Sequence, residues 1–209
     1  MKPFVKWAGG KRQIINEIEK RLPENINRYY EPFVGGGAVL LNFAFNNATI
    51  NDINQELIFT YECIKNQKDE LLKELDNLDL EHEKSPKEFY YHTRDLYNEM
   101  IMNQQKNISL AAMFIYLNKH CFNGLYRVNS KGLFNVPFNN KKSGNSYKKE
   151  DIDQISEYLQ NVDILCTDFE NVCRNCEKGD FVFFDSPYDL LNDTSFESYT
   201  KEGFTKEEH

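Results

Sequence analysis

The run Phe181-Val182-Phe183-Phe184-Asp185-Ser186-Pro187-Tyr188 sets four apolar residues against an acid, a proline and an aromatic ring. Bounded by Gly179-Asp180 and Pro187, the apolar part predicts a short strand buried on both faces. A carboxylate at the C-terminal end of such a strand sits where open α/β sheets bind ligands. Asp185 and the carbonyl of Ser186 could accept hydrogen bonds from an amino group, and the ring of Tyr188 could stack on a planar partner. That combination suits the exocyclic amine of a base. A buried strand followed by a proline turn is the plain structural alternative for these residues taken alone.

Two glycine motifs could hold a second ligand. Lys6-Trp7-Ala8-Gly9-Gly10-Lys11 precedes Ile14, Ile15, Ile18 and Leu22 at helical spacing. Its glycines permit close backbone approach and the helix N-terminus beyond them favours an anion such as a carboxylate. Lys11 adds a point charge, Trp7 an apolar wall. Tyr29-Tyr30-Glu31-Pro32-Phe33-Val34 then leads into Gly35-Gly36-Gly37 and an apolar helix with Ala38, Val39, Leu40, Leu41 and Phe43. Strand, glycine turn and helix present backbone N–H groups to a nucleotide-like cofactor. Ala48-Thr49-Ile50-Asn51-Asp52 follows as a second strand, its acid placed to accept hydrogen bonds from ribose hydroxyls. Neither G-x-G-x-x-G nor a Walker motif is present, which points to a nucleoside-like cofactor without a polyphosphate.

The charge distribution suggests the third partner. Net charge is −8, yet residues 100–149 contain no Asp or Glu and carry Lys106, Lys119, Arg127, Lys131, Lys141, Lys142, Lys148 and Lys149. The rest of the chain holds 17 Lys and Arg against 33 Asp and Glu. An acid-free block in an acidic chain is the footprint expected of a surface laid on phosphates, the alternative being a solvated basic loop. Within it, Phe122-Asn123-Gly124-Leu125-Tyr126-Arg127-Val128 and Leu133-Phe134-Asn135-Val136-Pro137-Phe138 read as two β-runs joined across Asn129-Ser130-Lys131-Gly132. Such a ribbon can enter a DNA major groove, where Arg127 could bond a guanine bidentately.

Helices must carry these motifs. Leu57, Ile58, Tyr61, Ile64, Leu71, Leu72, Leu75 and Leu78 recur at helical spacing, with Glu81-His82-Glu83-Lys84 as a polar connection. Ser85 and Pro86 cap and open a helix to about residue 101, and another runs from Ser109 to His120. A helix over 147–160 precedes the strand Val162-Asp163-Ile164-Leu165-Cys166, which ends in Thr167-Asp168-Phe169. His82, His92 and His120 have no ligand spacing and read as surface or capping residues. Cys173 and Cys176 form a lone C-x-x-C, read as two incidental thiols rather than a zinc or redox site. An odd count of five cysteines agrees with a reducing compartment. No stretch reaches the length of a membrane span and Met1-Lys2-Pro3 opens no signal peptide, so the cytoplasm is the expected location.

In order, K-W-A-G-G-K, E-P-F-V-G-G-G, N-D, F-N-G-L-Y-R-V-N, F-N-V-P-F and D-S-P-Y resemble the Dam family of S-adenosylmethionine-dependent DNA adenine-N6 methyltransferases, the alpha or D12 class. The resemblance runs from Lys6 to Phe204. It implies an α/β fold: a Rossmann-like methyltransferase sheet with an inserted helical and β-hairpin DNA-recognition domain, the catalytic parts being 1–54 and 149–209 and the insertion 55–148. It implies S-adenosyl-L-methionine held by Trp7, Ala8, Gly9, Gly10, Lys11, Glu31, Pro32, Phe33, Gly35, Gly37, Asp52, Ile53, Asp168, Phe169 and Asp185. Catalysis would fall to Asp185, Ser186, Pro187 and Tyr188, without a metal. Double-stranded DNA with a GATC-like site would meet Lys6, Asn123, Leu125, Arg127, Asn129, Lys131, Asn135 and Pro137. A binder without turnover, or an enzyme acting on another amine, are the other readings.

Two departures bear on activity. The family usually has proline where this chain has Ser186, so Asp185 loses the restraint toward extended geometry that a following proline imposes. Relatives continue past the Thr200-Lys201-Glu202-Gly203-Phe204 match, so the C-terminal part of the sheet is expected to be missing. The bare sheet edge would then invite association with another chain or with the missing fragment.

Overall fold

The computed structural model describes residues 1–186; Pro187, Tyr188 and the Thr200–Phe204 match lie outside the described residues. Short apolar strands alternate with helical crossovers, which forces parallel pairing. Strand β1 (Tyr29–Glu31) continues through the glycine turn into α2 (Ala38–Phe43) and returns as β2 (Ala48–Asn51). Strands β3 (Val162–Leu165) and β4 (Phe181–Val182) complete a four-stranded sheet of order β3-β2-β1-β4, every pair parallel. Tyr30 lies opposite both Thr49 and Val182, and Thr49 opposite Asp163. Ahead of the sheet, a 3-10 turn (Lys11–Ile14) and the short α1 (Ile15–Glu19) stand where a longer helix was expected.

Between β2 and β3 the chain builds a helical layer. Helix α3 (Gln55–Asn66) starts at Asn54, whose side chain accepts from Leu57 N at 2.8 Å, and buries Leu57, Ile58, Tyr61 and Ile64. It is followed by α4 (Lys68–Lys84), α5 (Pro86–Met102) and α6 (Ile108–His120). Residues Leu110 to Asn118 of α6 are all buried, so this helix is hydrophobic on every side and becomes the axis on which α3, α4 and α5 pack. Helix α7 (Lys149–Leu159) packs on α3 and leads into β3, after which α8 (Phe169–Cys173) crosses to β4. Among the described residues no helix is long and apolar enough to cross a membrane.

Several sequence expectations change. Residues 81–84 are the last turn of α4, and both His82 and His120 are buried with ring centroids 4.1 Å apart; among the described histidines only His92 is exposed. The helical pattern of Leu71 to Leu78 simply continues, and His82 is taken inside because Tyr116 lies 2.7 Å from its Nδ1. Ser85 is the N-cap of α5 by position but makes no side-chain capping bond. The expected β-ribbon over 122–138 is an irregular excursion: a 3-10 turn (Phe122–Gly124), then isolated antiparallel bridges Cys121–Phe138 and Val128–Phe134. Its apolar residues Tyr126, Val128, Phe134, Val136 and Phe138 are buried in the helical layer, and packing there replaces a regular ladder. The strand at 181–184 is two residues long and half-buried, with Phe184 54% exposed, because β4 is the outermost described strand on its side.

Leu71 is fully buried on α4. Leu71→Ala should cost about 2–5 kcal/mol through lost burial and a residual cavity, read as a lower urea midpoint with an unchanged slope.

Candidate active site

Strand order fixes where a ligand can lie. From β1 the chain adds β2 and β3 on one side and then β4 on the other, so the topology reverses between β1 and β4. In open α/β sheets the crevice at such a reversal, outside the C-terminal strand ends, is the ligand site. The glycine turn leaves β1 at this point and Asp185 follows β4 there.

The turn is shaped by contacts that only glycine permits. Gly35 and Gly37 have φ of +47° and +68°. A Cβ on Gly35 would stand 2.6 Å from Trp7 Cδ1, and one on Gly37 2.6 Å from the Tyr61 hydroxyl. Tyr61 donates to the Gly35 carbonyl at 3.0 Å. Asp52 Oδ2 accepts from Gly35 N, and its Oδ1 from Asn54 N, both at 3.0 Å. Burial still pushes the Asp52 pKa up against these N–H donors. Thus β2's terminal acid holds the turn after β1.

Sequence reasoning passed over Asn51. Its Nδ2 donates to the carbonyls of Pro32 and Thr167, each at 3.0 Å, and its Oδ1 accepts from Thr167 N at 2.9 Å. One side chain therefore ties together the C-terminal ends of β1, β2 and β3. Its sequence signals were its place in the N-D motif and at the end of a short strand, neither of which shows a tie between strands.

Glu31 is 3% exposed and lies beneath the turn. It accepts from Tyr29 OH at 2.7 Å and from Leu40 N at 3.2 Å. Gly37 offers α2 no side-chain cap, so Glu31 does so from the preceding strand. Burial raises its pKa to about 8.

Around the strand ends Phe33, Phe169 and Phe184 form an aromatic group, with centroids 5.3 Å apart for Phe33–Phe169 and 6.4 Å for Phe33–Phe184. Pro32 is buried beside them and Ile53 is 58% exposed. Asp168 is exposed and caps α8, its Oδ1 accepting from Glu170 N at 2.8 Å. The first motif reaches the site through Lys11, whose ammonium pairs with Asp185 and donates to Gly9 O at 2.7 Å. The pair is shielded, the side chains being 15% and 21% exposed. Gly9 takes φ +75°, and Ala8, Gly9 and Gly10 are exposed. The 3-10 turn beyond them is too short for the dipole expected of a full helix. Ser186 is half-buried.

The start of the excursion, which carries the expected DNA-facing Asn123 and Leu125, lies beside this motif. Asn118 clamps Lys6 through both backbone atoms, at 2.8 and 2.9 Å, and donates to Gly124 O at 3.3 Å. Trp7 stacks on Tyr126 at 5.1 Å. Lys6, Asn123, Leu125, Lys131 and Pro137 are exposed. Arg127 is engaged within the excursion: its Nε and one terminal nitrogen donate to Asn135 Oδ1 at 2.7 Å and Asn135 O at 3.2 Å. Asn129 accepts from Lys131 N and Leu133 N, forming the tip turn. Among the described residues, no group of three or more His, Cys, Asp or Glu could hold a metal ion.

Fold and sequence together define an α/β enzyme with a parallel four-stranded sheet, in which a glycine turn and a strand-end acid lie at the reversal of strand order. Residues 7–209 match the D12 class N6 adenine-specific DNA methyltransferases, and the chain belongs to that family. It is similar to the type II methyltransferase M.MjaIII of Methanocaldococcus jannaschii, 46% identical over all of this chain and 76% of that protein. The type II methyltransferase M1.LlaDCHI of Lactococcus lactis subsp. cremoris is 42% identical over all of this chain and 73% of its own length. The DNA adenine methylase of Escherichia coli strain K12 is 34% identical over 98% of this chain and 72% of its own.

Because the Glu31 pKa is raised on folding, the native state holds its proton where the unfolded chain has lost it. Its stabilising contribution is complete below the ordinary carboxylate range and is lost as pH rises to about 8. Thermal unfolding should show stability falling across that window, by on the order of a few kcal/mol, and Glu31→Gln should flatten the fall.

Proposed function

We propose that this protein transfers the methyl group of S-adenosylmethionine to N6 of adenine in duplex DNA, at a GATC-like site. The supporting observation is that the glycine turn and Asp185 flank the reversal of the sheet and that Lys11 of the first glycine motif pairs with Asp185 there. The strand ends fit such a cofactor chemically. Trp7, Phe33, Phe169 and Ile53 offer apolar and aromatic surface for a purine, and Asp52 and Asp168 offer acceptors for its hydroxyl and amino groups. Ala8, Gly9, Gly10, Lys11, Gly35, Gly37 and Asp185 would complete the binding set, with Glu31 and Pro32 supporting it from below. The bound cofactor supplies an electrophilic methyl group on a sulfonium.

The chain's task is then to make a poor nucleophile attack. The adenine amino lone pair is delocalised into the ring and must localise as nitrogen becomes positive. Asp185 and the Ser186 carbonyl accept hydrogen bonds from the two N6–H groups and favour that charge in a site shielded from water. Lys11 holds the Asp185 carboxylate in place. Tyr188 stacks on the base once it has left the duplex, since the paired amine cannot be reached. Segments 1–54 and 149–209 form the catalytic part, and 55–148 the recognition part. There Asn123, Leu125, Arg127 and Pro137 read bases, while Lys6, Asn129, Lys131 and Asn135 orient the duplex. The names of the relatives, DNA adenine methylases and type II methyltransferases, support DNA adenine as the substrate.

A filter assay with tritiated cofactor on duplexes with and without GATC tests this. Label confined to GATC duplexes is the expected result. Duplex binding without label would identify a non-catalytic binder, and neither would overturn the assignment. Asp185→Ala should lower kcat by about 10²–10³-fold and also weaken cofactor binding, since the same carboxylate pairs with Lys11 of the cofactor motif. Ser186→Pro should raise turnover about two- to fivefold, the equivalent of about 0.4–1 kcal/mol of chain freedom removed. A variant no faster than the parent would show that preorganisation of Asp185 is not limiting.

A further inference from the structure

The excursion 121–138 is followed by a lysine-bearing segment, 139–148, that has neither helix nor strand. Lys141, Lys142 and Lys148 on it are exposed. It leaves the excursion beside the expected base readers: Phe122 N donates to Pro137 O at 2.8 Å, and Asn139 N to His120 O at 2.9 Å. Such a segment has no ladder to hold it, and its lysines repel one another. Something must fix it at its far end.

That fixture is Ser146, only 2% exposed. Its hydroxyl donates to Asp79 Oδ1 at 2.5 Å and its backbone N–H to Asp79 Oδ2 at 2.9 Å, so one carboxylate grips one serine twice. His120 Nε2 lies 3.2 Å from the same hydroxyl and 3.8 Å from Asp79. Behind it the His82 ring lies against that of His120, tilted by 36°, and meets the Tyr116 hydroxyl. One turn earlier on α4, Asp76 accepts from Tyr147 OH at 2.5 Å. Helix α4 thus supplies the negative charge that the block 100–149 lacks, at the point where the segment must be pinned.

We infer that Asp79, acting through Ser146, is a positioning residue for DNA: it fixes the segment 139–148 so that Lys141, Lys142 and Lys148 meet phosphates beside the recognition excursion. This rests on the duplex-DNA reading above. The sign of the effect separates it from simple electrostatics. Removing an acid from a protein that binds a polyanion strengthens binding through charge alone, whereas removing the anchor weakens it.

The test measures duplex affinity of the full chain by fluorescence anisotropy over a range of salt, together with KM for S-adenosylmethionine. The parent is compared with Asp79→Asn, with Ser146→Ala, with the triple change Lys141→Gln, Lys142→Gln and Lys148→Gln, and with Asp79→Asn added to the triple. Each phosphate that the protein no longer neutralises lowers the slope of log affinity against log salt by about 0.9. The triple variant should therefore flatten the slope by up to about 3. Asp79→Asn should lower affinity about tenfold with a flatter slope and an unchanged KM for the cofactor, and Ser146→Ala should do the same more weakly. Adding Asp79→Asn to the triple should cost nothing further. An unchanged slope in both single variants, or effects that add fully to those of the triple, overturns the inference. So does a silent triple, because the anchor would then act through something else. If Asp79→Asn does not fold, Ser146→Ala carries the same comparison. A parent that binds no duplex is a separate outcome: it defeats the DNA reading itself, and the anchor with it.

Discussion

Trp7 fills the space that glycine leaves at positions 35 and 36, and this fit joins the two halves of the molecule. On one side the indole covers the turn that ends β1; on the other it stacks on Tyr126 in the excursion between α6 and α7. Any side chain at Gly35 would push the indole away and disturb both packings at once. The fit is tight, so the turn and the excursion pack against one shared side chain. Asn118 adds a polar lock to the apolar one, holding Lys6 and Gly124 from α6.

Polar side chains buried at strand and helix ends do the positioning elsewhere. Asn51 joins three strand ends, Asp52 holds the glycine turn, and Glu31 caps α2 from the strand before it. Each satisfies backbone groups that would otherwise be stranded where the regular ladders stop. The cost is a carboxyl at position 31 held in its neutral form over much of the physiological range. The benefit is that β1, β2 and β3 end at one level and present Phe33, Asp52 and Phe169 along a common rim.

The charge pattern has a similar division of labour. Helix α4 carries the acids that hold the basic block, while Lys141, Lys142 and Lys148 stay on the surface. An acidic protein can in this way keep a run of lysines at its surface.

Much of this was legible in the chain. Strand, glycine turn, helix and strand-end acid follow from hydrophobic period and glycine placement, and the motifs from Lys6 to Asp185 carry the family. Periodicity reports only whether a residue is apolar and how far it is from the next, however. It could not show that α6 is the axis of the helical layer, that His82 and His120 are inside, or that residues 122–138 pack as an irregular excursion rather than a ribbon. Those outcomes depend on which surfaces meet. A run such as Tyr126 to Phe138 has β-like alternation in any setting, but whether it pairs with itself or beds its apolar side into neighbouring helices is decided by the cavity available. The ion pair of Lys11 with Asp185, the three-way tie at Asn51 and the grip of Asp79 on Ser146 link positions far apart in sequence. Local composition sets what each group can bond; only the folded backbone brings the partner within reach.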